Sequence, residues 1–307
     1  YIAGASSTSN VLAGKIFSIP VFGTHAHSWV MSFDTELDAF RAFAKSSPTN
    51  CSLLLDTYDV HEGIKNAIIV AKEMEERGER LSAVRIDSGD LARLSKEARK
   101  AFDEAGLPYI KISVSNELTE EIVESLVQNN APIDSWGVGT HMVTGGNEAS
   151  LTGVYKMAAR KSLGETEWTP VMKFSDNPAK MTNPACKQVW RLYNPDGTFK
   201  ADVLTLEDEK IEEGVEQTFY HPANDYQNFT FTPAKVEALL EKRIENGKAV
   251  GKAPSLKEIK AYAEKQLDSL DYTSKRLLNP HIYKVSLSEK MRDLKQQLIK
   301  NKPVFKN

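Results

Sequence analysis

The feature that most constrains this chain is an alternation: a short apolar run, a polar or glycine-bearing tip, then an amphipathic stretch, recurring roughly every thirty residues. The apolar runs are Ile19-Pro20-Val21-Phe22, Ser52-Leu53-Leu54-Leu55, Ser82-Ala83-Val84-Arg85-Ile86, Tyr109-Ile110-Lys111-Ile112-Ser113-Val114 and the segment opening at Trp136, with a further short one at Val154-Tyr155-Lys156-Met157. All are too short for helices and read as strands. Between them lie helical stripes. One is capped by Asp34 and carries Leu37, Phe40 and Phe43; the next carries Ile64, Ala67, Ile68, Ala71 and Met74; a third runs to Ala105 before Gly106; a fourth carries Leu118, Ile122, Val123 and Leu126. Strand and helix in strict alternation require a parallel sheet with right-handed crossovers. An open doubly wound sheet and a barrel compete, and both place ligands at the carboxyl ends of the strands. Here His27, Asp56, Asp87, Ser115, Asn116 and Thr140 fall at successive strand ends. That spread favours the barrel, because an open sheet gathers ligand groups mainly at one switch point. No G-x-G-x-x-G or Walker pattern supports a dinucleotide or P-loop fold.

The richest tip follows the third run: Arg85-Ile86-Asp87-Ser88-Gly89-Asp90. Arg85 and Asp87 are two apart on a strand and project to the same side. A forked cation beside a carboxylate suits a ligand with both an anionic group and a diol; a structural ion pair beside a helix cap made by Ser88 or Asp90 fits the same residues. Gly4 to Asn10 is a hydroxyl-rich loop before a helical segment, either an anion cradle or a serine-rich N-cap. In Gly23-Thr24-His25-Ala26-His27-Ser28 the two histidines admit metal binding, acid–base or nucleophilic work, or a plain hydrogen-bonded surface role. No third ligand at metal spacing accompanies them.

A net charge of −3 gives no electrostatic case for nucleic acid. Two distant cysteines, Cys51 and Cys186, make neither a disulfide framework nor a zinc knuckle, so a reducing cytoplasm is the expectation. No stretch approaches the ~20 apolar residues of a membrane helix. The chain opens at Tyr1 in a loop, and an upstream portion is expected. Beyond Pro170 the pattern changes: Lys187-Gln188-Val189-Trp190-Arg191-Leu192-Tyr193 and Ala201-Asp202-Val203-Leu204-Thr205-Leu206 flank Asn194-Pro195-Asp196-Gly197, a hairpin. Amphipathic surface helices are expected near Ile259 to Leu270 and Ser288 to Lys300, with His141, His221 and His281 structural or exposed.

Taken in order, Gly23-Thr24-His25-Ala26-His27-Ser28, Leu55-Asp56-Thr57-Tyr58-Asp59, Val84-Arg85-Ile86-Asp87-Ser88-Gly89-Asp90-Leu91, Ser115-Asn116-Glu117, Gly137-Val138-Gly139-Thr140 and Val154-Tyr155-Lys156 resemble the ordered motifs of the nicotinate phosphoribosyltransferase family, a type II phosphoribosyltransferase family. The resemblance implies an irregular, TIM-like α/β barrel with parallel strands over residues 1–160, an N-terminal domain absent from this chain, and a C-terminal α+β extension over 161–307. It implies formation of nicotinate mononucleotide and pyrophosphate from nicotinate and phosphoribosyl pyrophosphate, in NAD salvage, with ATP hydrolysis coupled through a phosphohistidine. Carried over by position, the phosphohistidine is His27. Asp87 holds the ribose hydroxyls, and Arg85 the carboxylate or phosphates. Ser88 and Gly89 complete that loop, Ser115 and Asn116 contact the sugar phosphate, and Gly139 and Thr140 form the 5′-phosphate loop. Asp56 or Asp87 would face an oxocarbenium-like sugar, and Lys156 reaches a phosphate or is merely solvated. Mg²⁺ is expected on the substrates rather than in a protein cage. A cytoplasmic homodimer is implied. The alternatives are a sister enzyme for nicotinamide or quinolinate and a non-catalytic phosphoribosyl-ligand binder; the histidine motif argues against quinolinate, whose enzymes use no ATP.

Overall fold

The computed structural model describes residues 1–146, 149–150, 153–177, 180–224 and 226–301. The chain divides into two compact units, Ser6–Thr152 and Gly153–Asn307 with Tyr1–Ala5. In the first, α1 (Val11–Phe17), α2 (His27–Met31) and α3 (Glu36–Ser46) precede the alternating β1 (Ser52–Leu54), α4 (Val60–Glu76), β2 (Ala83–Ile86), α5 (Leu91–Glu104), β3 (Lys111–Val114), α6 (Glu120–Gln128), β4 (Ser135–Trp136) and α7 (Thr140–Thr144). The four strands pair in parallel in the order β1-β2-β3-β4. Spatial order that follows chain order is the arrangement of barrel strands, not of a doubly wound sheet with its reversal. It aims successive tips the same way.

Apart from the five-residue α2 and α7, each helix of this unit begins where a side chain satisfies its first free N–H groups. Asp59 accepts from His61 and Glu62 at the start of α4, Asp90 from Arg93 at α5, and Thr119 from Ile122 at α6. For α3 the cap is Thr35, which accepts from Asp38 N–H, rather than the expected Asp34. The apolar stripes meet the sheet in one core that includes Phe40, Leu53, Leu55, Ala67, Met74, Ile86, Phe102 and Ile112, all with no exposed surface. At ~25 cal/mol per Å² removed from water, this burial is the main stabilising term of the unit.

Two expected strands do not form. The run 19–22 makes a single bridge, Val21 to Thr8; Pro20 has no N–H to donate, and Val21 and Phe22 remain exposed. The stretch 153–157 forms no strand, and Tyr155 is 98% exposed. A β-prone run without a partner strand or a buried face has nothing to hold it in a sheet.

The second unit holds short ladders β5 (Ala159–Arg160) with β6 (Thr169–Pro170) and β12 (Ile244–Glu245) with β13 (Lys248–Ala249). Its main sheet is mixed and six-stranded, from β7 (Lys187–Tyr193), β8 (Phe199–Leu206), β9 (Gln217–Tyr220), β10 (Asn228–Phe231), β11 (Lys235–Ala238) and β14 (Val285–Leu287), in the order β10-β9-β14-β8-β7-β11. The expected hairpin is β7–β8, and β8 alternates buried and half-buried residues as a one-sided strand does. Helices α8 (Leu256–Ser269) and α9 (Glu289–Lys300) occupy the two Lys/Glu-rich segments; α9 buries Met291 and Lys295.

Candidate active site

The carboxyl ends of β1 to β3 and the loop entering α2 supply one cluster of polar side chains. Its centre is the guanidinium of Arg85. Nε donates to Ser115 Oγ at 2.7 Å, Nη1 to Thr24 Oγ1 at 3.0 Å, and Nη2 lies 3.0 Å from Asp87 Oδ2. The strand's two-residue period puts Arg85 and Asp87 on one side, and the parallel register sets Ser113 beside Arg85, so the next tip brings Ser115 within reach. Ser115 in turn donates to Asp87 Oδ1. Burial alone would raise the Asp87 pKa, but the Ser115 hydrogen bond and the Arg85 ion pair outweigh it and hold the carboxyl below its usual range. Asp87 is therefore ionised at neutral pH.

His27 is the first residue of α2. Its Nδ1 lies 3.1 Å from Thr57 Oγ1 and its Nε2 3.6 Å from Asp87 Oδ2. The side chain is 40% exposed, so a ligand can meet it. His25 takes the opposite part. It is buried against Phe43, ring centroids 4.7 Å apart, and its Nε2 accepts the backbone N–H of Leu54 at 3.2 Å. An imidazole thus satisfies a donor on the edge strand β1, where a further strand would otherwise pair. Burial pushes its pKa down, which suits the neutral acceptor. Of the two histidines, His27 is open to a ligand and His25 is packed into the core.

Asp56 ties two strand tips together. Its Oδ2 accepts the N–H of Asp87 at 3.0 Å and the hydroxyl of Ser88 at 2.5 Å, clamping the β2 tip to the β1 tip. Its Oδ1 is buried without a partner among the described residues. Gly89 continues that turn at φ +78°, a conformation costly for other residues. Gly63 lets α4 close on the same tip: a Cβ there would stand 2.2 Å from the Leu55 carbonyl oxygen.

Asn116 sits at the β3 tip with φ +122°, its Oδ1 accepting the Glu117 N–H. Gly139 and Thr140 are exposed at the start of the five-residue α7, past β4, two strands from β2. They share the end of the sheet with the cluster but not its hydrogen-bond network, among the described residues. Lys156 is exposed in the other unit, in the stretch 153–157 that forms no strand, so the strand end expected to carry it is not there. His141 pairs with Glu120 at 3.1 Å, and His221 accepts two backbone N–H groups in a turn. Thr24 and Thr57 are additions: both lie inside motifs read from the sequence, but a threonine carries no signal of which partner its hydroxyl will meet.

A family model described as the nicotinate phosphoribosyltransferase (NAPRTase) family matches residues 5–223, and one for the nicotinate phosphoribosyltransferase C-terminal domain matches 186–295. The chain belongs to the nicotinate phosphoribosyltransferase family. It is 38% identical to the nicotinate phosphoribosyltransferase of Bacillus subtilis, over 97% of this chain and 60% of that protein. With that of Bos taurus it shares 32% identity, over 97% of this chain and 64% of that one. The crystal structure of human nicotinic acid phosphoribosyltransferase superposes with a TM-score of 0.79 at 30% identity, covering 97% of this chain and 66% of that chain. Nicotinate-nucleotide pyrophosphorylase from Pyrococcus furiosus, at 22% identity and TM-score 0.60 over 88% of this chain and 60% of that one, shares the fold. The chain spans 60% and 64% of the lengths of the two relatives named first. Among the described residues no helix is long and apolar enough to cross a membrane.

Proposed function

We propose that this chain carries the phosphoribosyl-transfer site of a nicotinate phosphoribosyltransferase, making nicotinate mononucleotide and pyrophosphate in NAD salvage. The observation that carries the reading is the convergence of His27, Arg85, Asp87 and Ser115 from three separate segments, the start of α2 and the tips of β2 and β3, within a family match spanning 5–223. The pyridine nitrogen of nicotinate forms a bond to the anomeric carbon as the bond from that carbon to the pyrophosphate oxygen breaks, and pyrophosphate leaves with the electron pair. Positive charge grows on the sugar ring. The ionised Asp87 is the carboxylate to accept the ribose hydroxyls and stabilise that charge. Arg85, fixed by Thr24, Ser115 and Asp87, presents the guanidinium for an anionic group of the substrates. Asn116, Gly139 and Thr140 supply polar groups at the neighbouring tips for the sugar phosphate. Asp56 and Ser88 serve by holding the Asp87 loop.

Among the described residues no three His, Cys, Asp or Glu side chains converge as a metal site. Of the carboxylates at the tips, the partly exposed Asp87 fits as the protein contact of a Mg²⁺ carried mainly by substrate and water oxygens. Such an ion, when bound, neutralises charge on the departing pyrophosphate. In this reading His27 accepts the γ-phosphoryl of ATP, and the enzyme works as a cytoplasmic homodimer.

The test is product formation from nicotinate against nicotinamide, with and without ATP, on the full-length protein, together with labelling by γ-labelled ATP. Nicotinate preference, ATP stimulation and an acid-labile, base-stable label that His27→Ala abolishes are expected. A nicotinamide preference would replace the substrate assignment; ligand binding without turnover would favour a binding module.

A further inference from the structure

The imidazole of His27 is held at one nitrogen and only approached at the other. Nδ1 makes a 3.1 Å hydrogen bond with the Thr57 hydroxyl, across two loops. Nε2 stands 3.6 Å from Asp87 Oδ2, beyond a sound hydrogen bond. Asp87 is already engaged, by Arg85 Nη2 at 3.0 Å on Oδ2 and by Ser115 on Oδ1. A carboxylate compensated in this way draws a proton onto Nε2 only weakly. In a neutral imidazole, the partner of one nitrogen decides which nitrogen keeps the lone pair. The Thr57 hydroxyl can donate or accept, but with the Asp87 oxygen 3.6 Å from Nε2 the better hydrogen bond for a ring N–H is the one at Nδ1, and Thr57 is firmly held to accept it. It follows β1, precedes the Asp59 cap of α4, and its β-branched side chain has few rotamers to choose from.

We propose that Thr57 is a positioning residue: its hydroxyl oxygen accepts the Nδ1–H of His27 and leaves Nε2 as the nucleophile, on the ring edge that faces Asp87 and its Arg85 partner. This rests on the reading of His27 as a phosphoryl acceptor. The Nε2 lone pair forms the N–P bond as the bond from the γ-phosphorus to the β–γ bridging oxygen breaks, and ADP departs with that electron pair. The Nδ1 proton remains on the ring against Thr57, so no base has to remove it, and the ring takes up the positive charge. The compensated carboxylate beside it then stabilises the phosphoimidazolium.

Thr57→Val keeps the shape and removes the hydroxyl; Thr57→Ser keeps the hydroxyl. On the full-length protein, γ-labelled ATP should give the Nε2 isomer of phosphohistidine in the wild type, as identified by phosphorus NMR. Thr57→Val should label up to about 100-fold more slowly, through loss of alignment, with the Nδ1 isomer appearing. KM for phosphoribosyl pyrophosphate should stay within about twofold of wild type, since misalignment of the ring acts on the rate of the transfer step rather than on ground-state binding of the sugar substrate. Thr57→Ser should restore rate and isomer, which a purely structural role for the side chain would not require. The Nδ1 isomer in the wild type, or wild-type labelling in Thr57→Val, overturns the proposal while leaving the phosphohistidine standing. A wild type that takes no label sinks the phosphohistidine instead. Nitrogen NMR of His27 then decides the tautomer: a proton on Nδ1 that depends on Thr57 supports the proposal, and one on Nε2 overturns it.

Discussion

Arg85 with Asp87 in one unit and Arg191 with Asp202 in the other are pairs of the same residue types in different settings. Arg191 and Asp202 face each other across the antiparallel β7–β8 ladder, mid-strand, with both hydrogen bonds at 2.8 Å. Gln266 takes a further Arg191 donor, Tyr283 donates to Asp202, and the guanidinium lies 4.2 Å from the centre of the Phe199 ring. Side-chain exposure is 16% and 14%, so little of the pair is offered to a ligand. The Asp202 hydrogen bonds raise the Arg191 pKa further above its already high value. Arg85 and Asp87 sit instead at the tip of one parallel strand. Their partners are hydroxyls from other loops and an imidazole beyond hydrogen-bond distance. Hydroxyls exchange partners cheaply; a bidentate, stacked guanidinium does not. The lesson is that position along the strand, more than the pair itself, separates a brace from a binding group.

The sharpest way to break this contrast is to remove one partner of each pair. Arg85→Ala should lower kcat/KM by about 10³-fold while the urea midpoint barely moves; a large stability loss with activity retained would make it a brace after all. Asp202→Ala should do the reverse, costing about 3 kcal/mol of stability because it strands a mostly buried guanidinium, with the activity of folded protein preserved at low temperature. Gly63→Ala probes how firmly the tip is held. The added Cβ would meet the Leu55 carbonyl oxygen at 2.2 Å, so a loss of about 2 kcal/mol and weaker phosphoribosyl pyrophosphate binding are expected, measurable by denaturation and calorimetry. The smallest effect concerns pH. Since the folded-state pKa of Asp87 is depressed from 3.8, its contribution is complete above that value and fades as pH falls through the lower folded one. Asp87→Asn should therefore flatten the acid limb of the stability curve below about pH 4 and leave its neutral part unchanged in slope.

How much of this was legible in the sequence varies with the kind of interaction. The stripe Ile64, Ala67, Ala71 and Met74 became the buried face of α4, because helical periodicity is a local property and the core had only to accept it. The β7–β8 hairpin was equally plain, since its turn residues and its strands lie side by side in the chain. Val154 to Met157 was misread because strand formation depends on a neighbour that the local sequence does not contain. The hydrogen bonds of Asp56 to the β2 tip are not legible in the sequence, because a carboxylate at a strand tip gives no sign that the backbone N–H of Asp87 points at it. His25 and His27, two residues apart, were separable by resemblance but not by chemistry; packing against Phe43 buried one and left the other open.

By itself the sequence determined the alternation of parallel strands and helices, the line of polar residues at their carboxyl ends, and the family motifs those residues spell. The tertiary structure alone decided which of those polar groups meet. Contacts such as Arg85 with Thr24, or His27 with Thr57, join residues 61 and 30 positions apart. No local preference encodes them; they exist because the sheet brings separate tips within hydrogen-bond range, where a partner costs less than leaving a half-buried polar group without one.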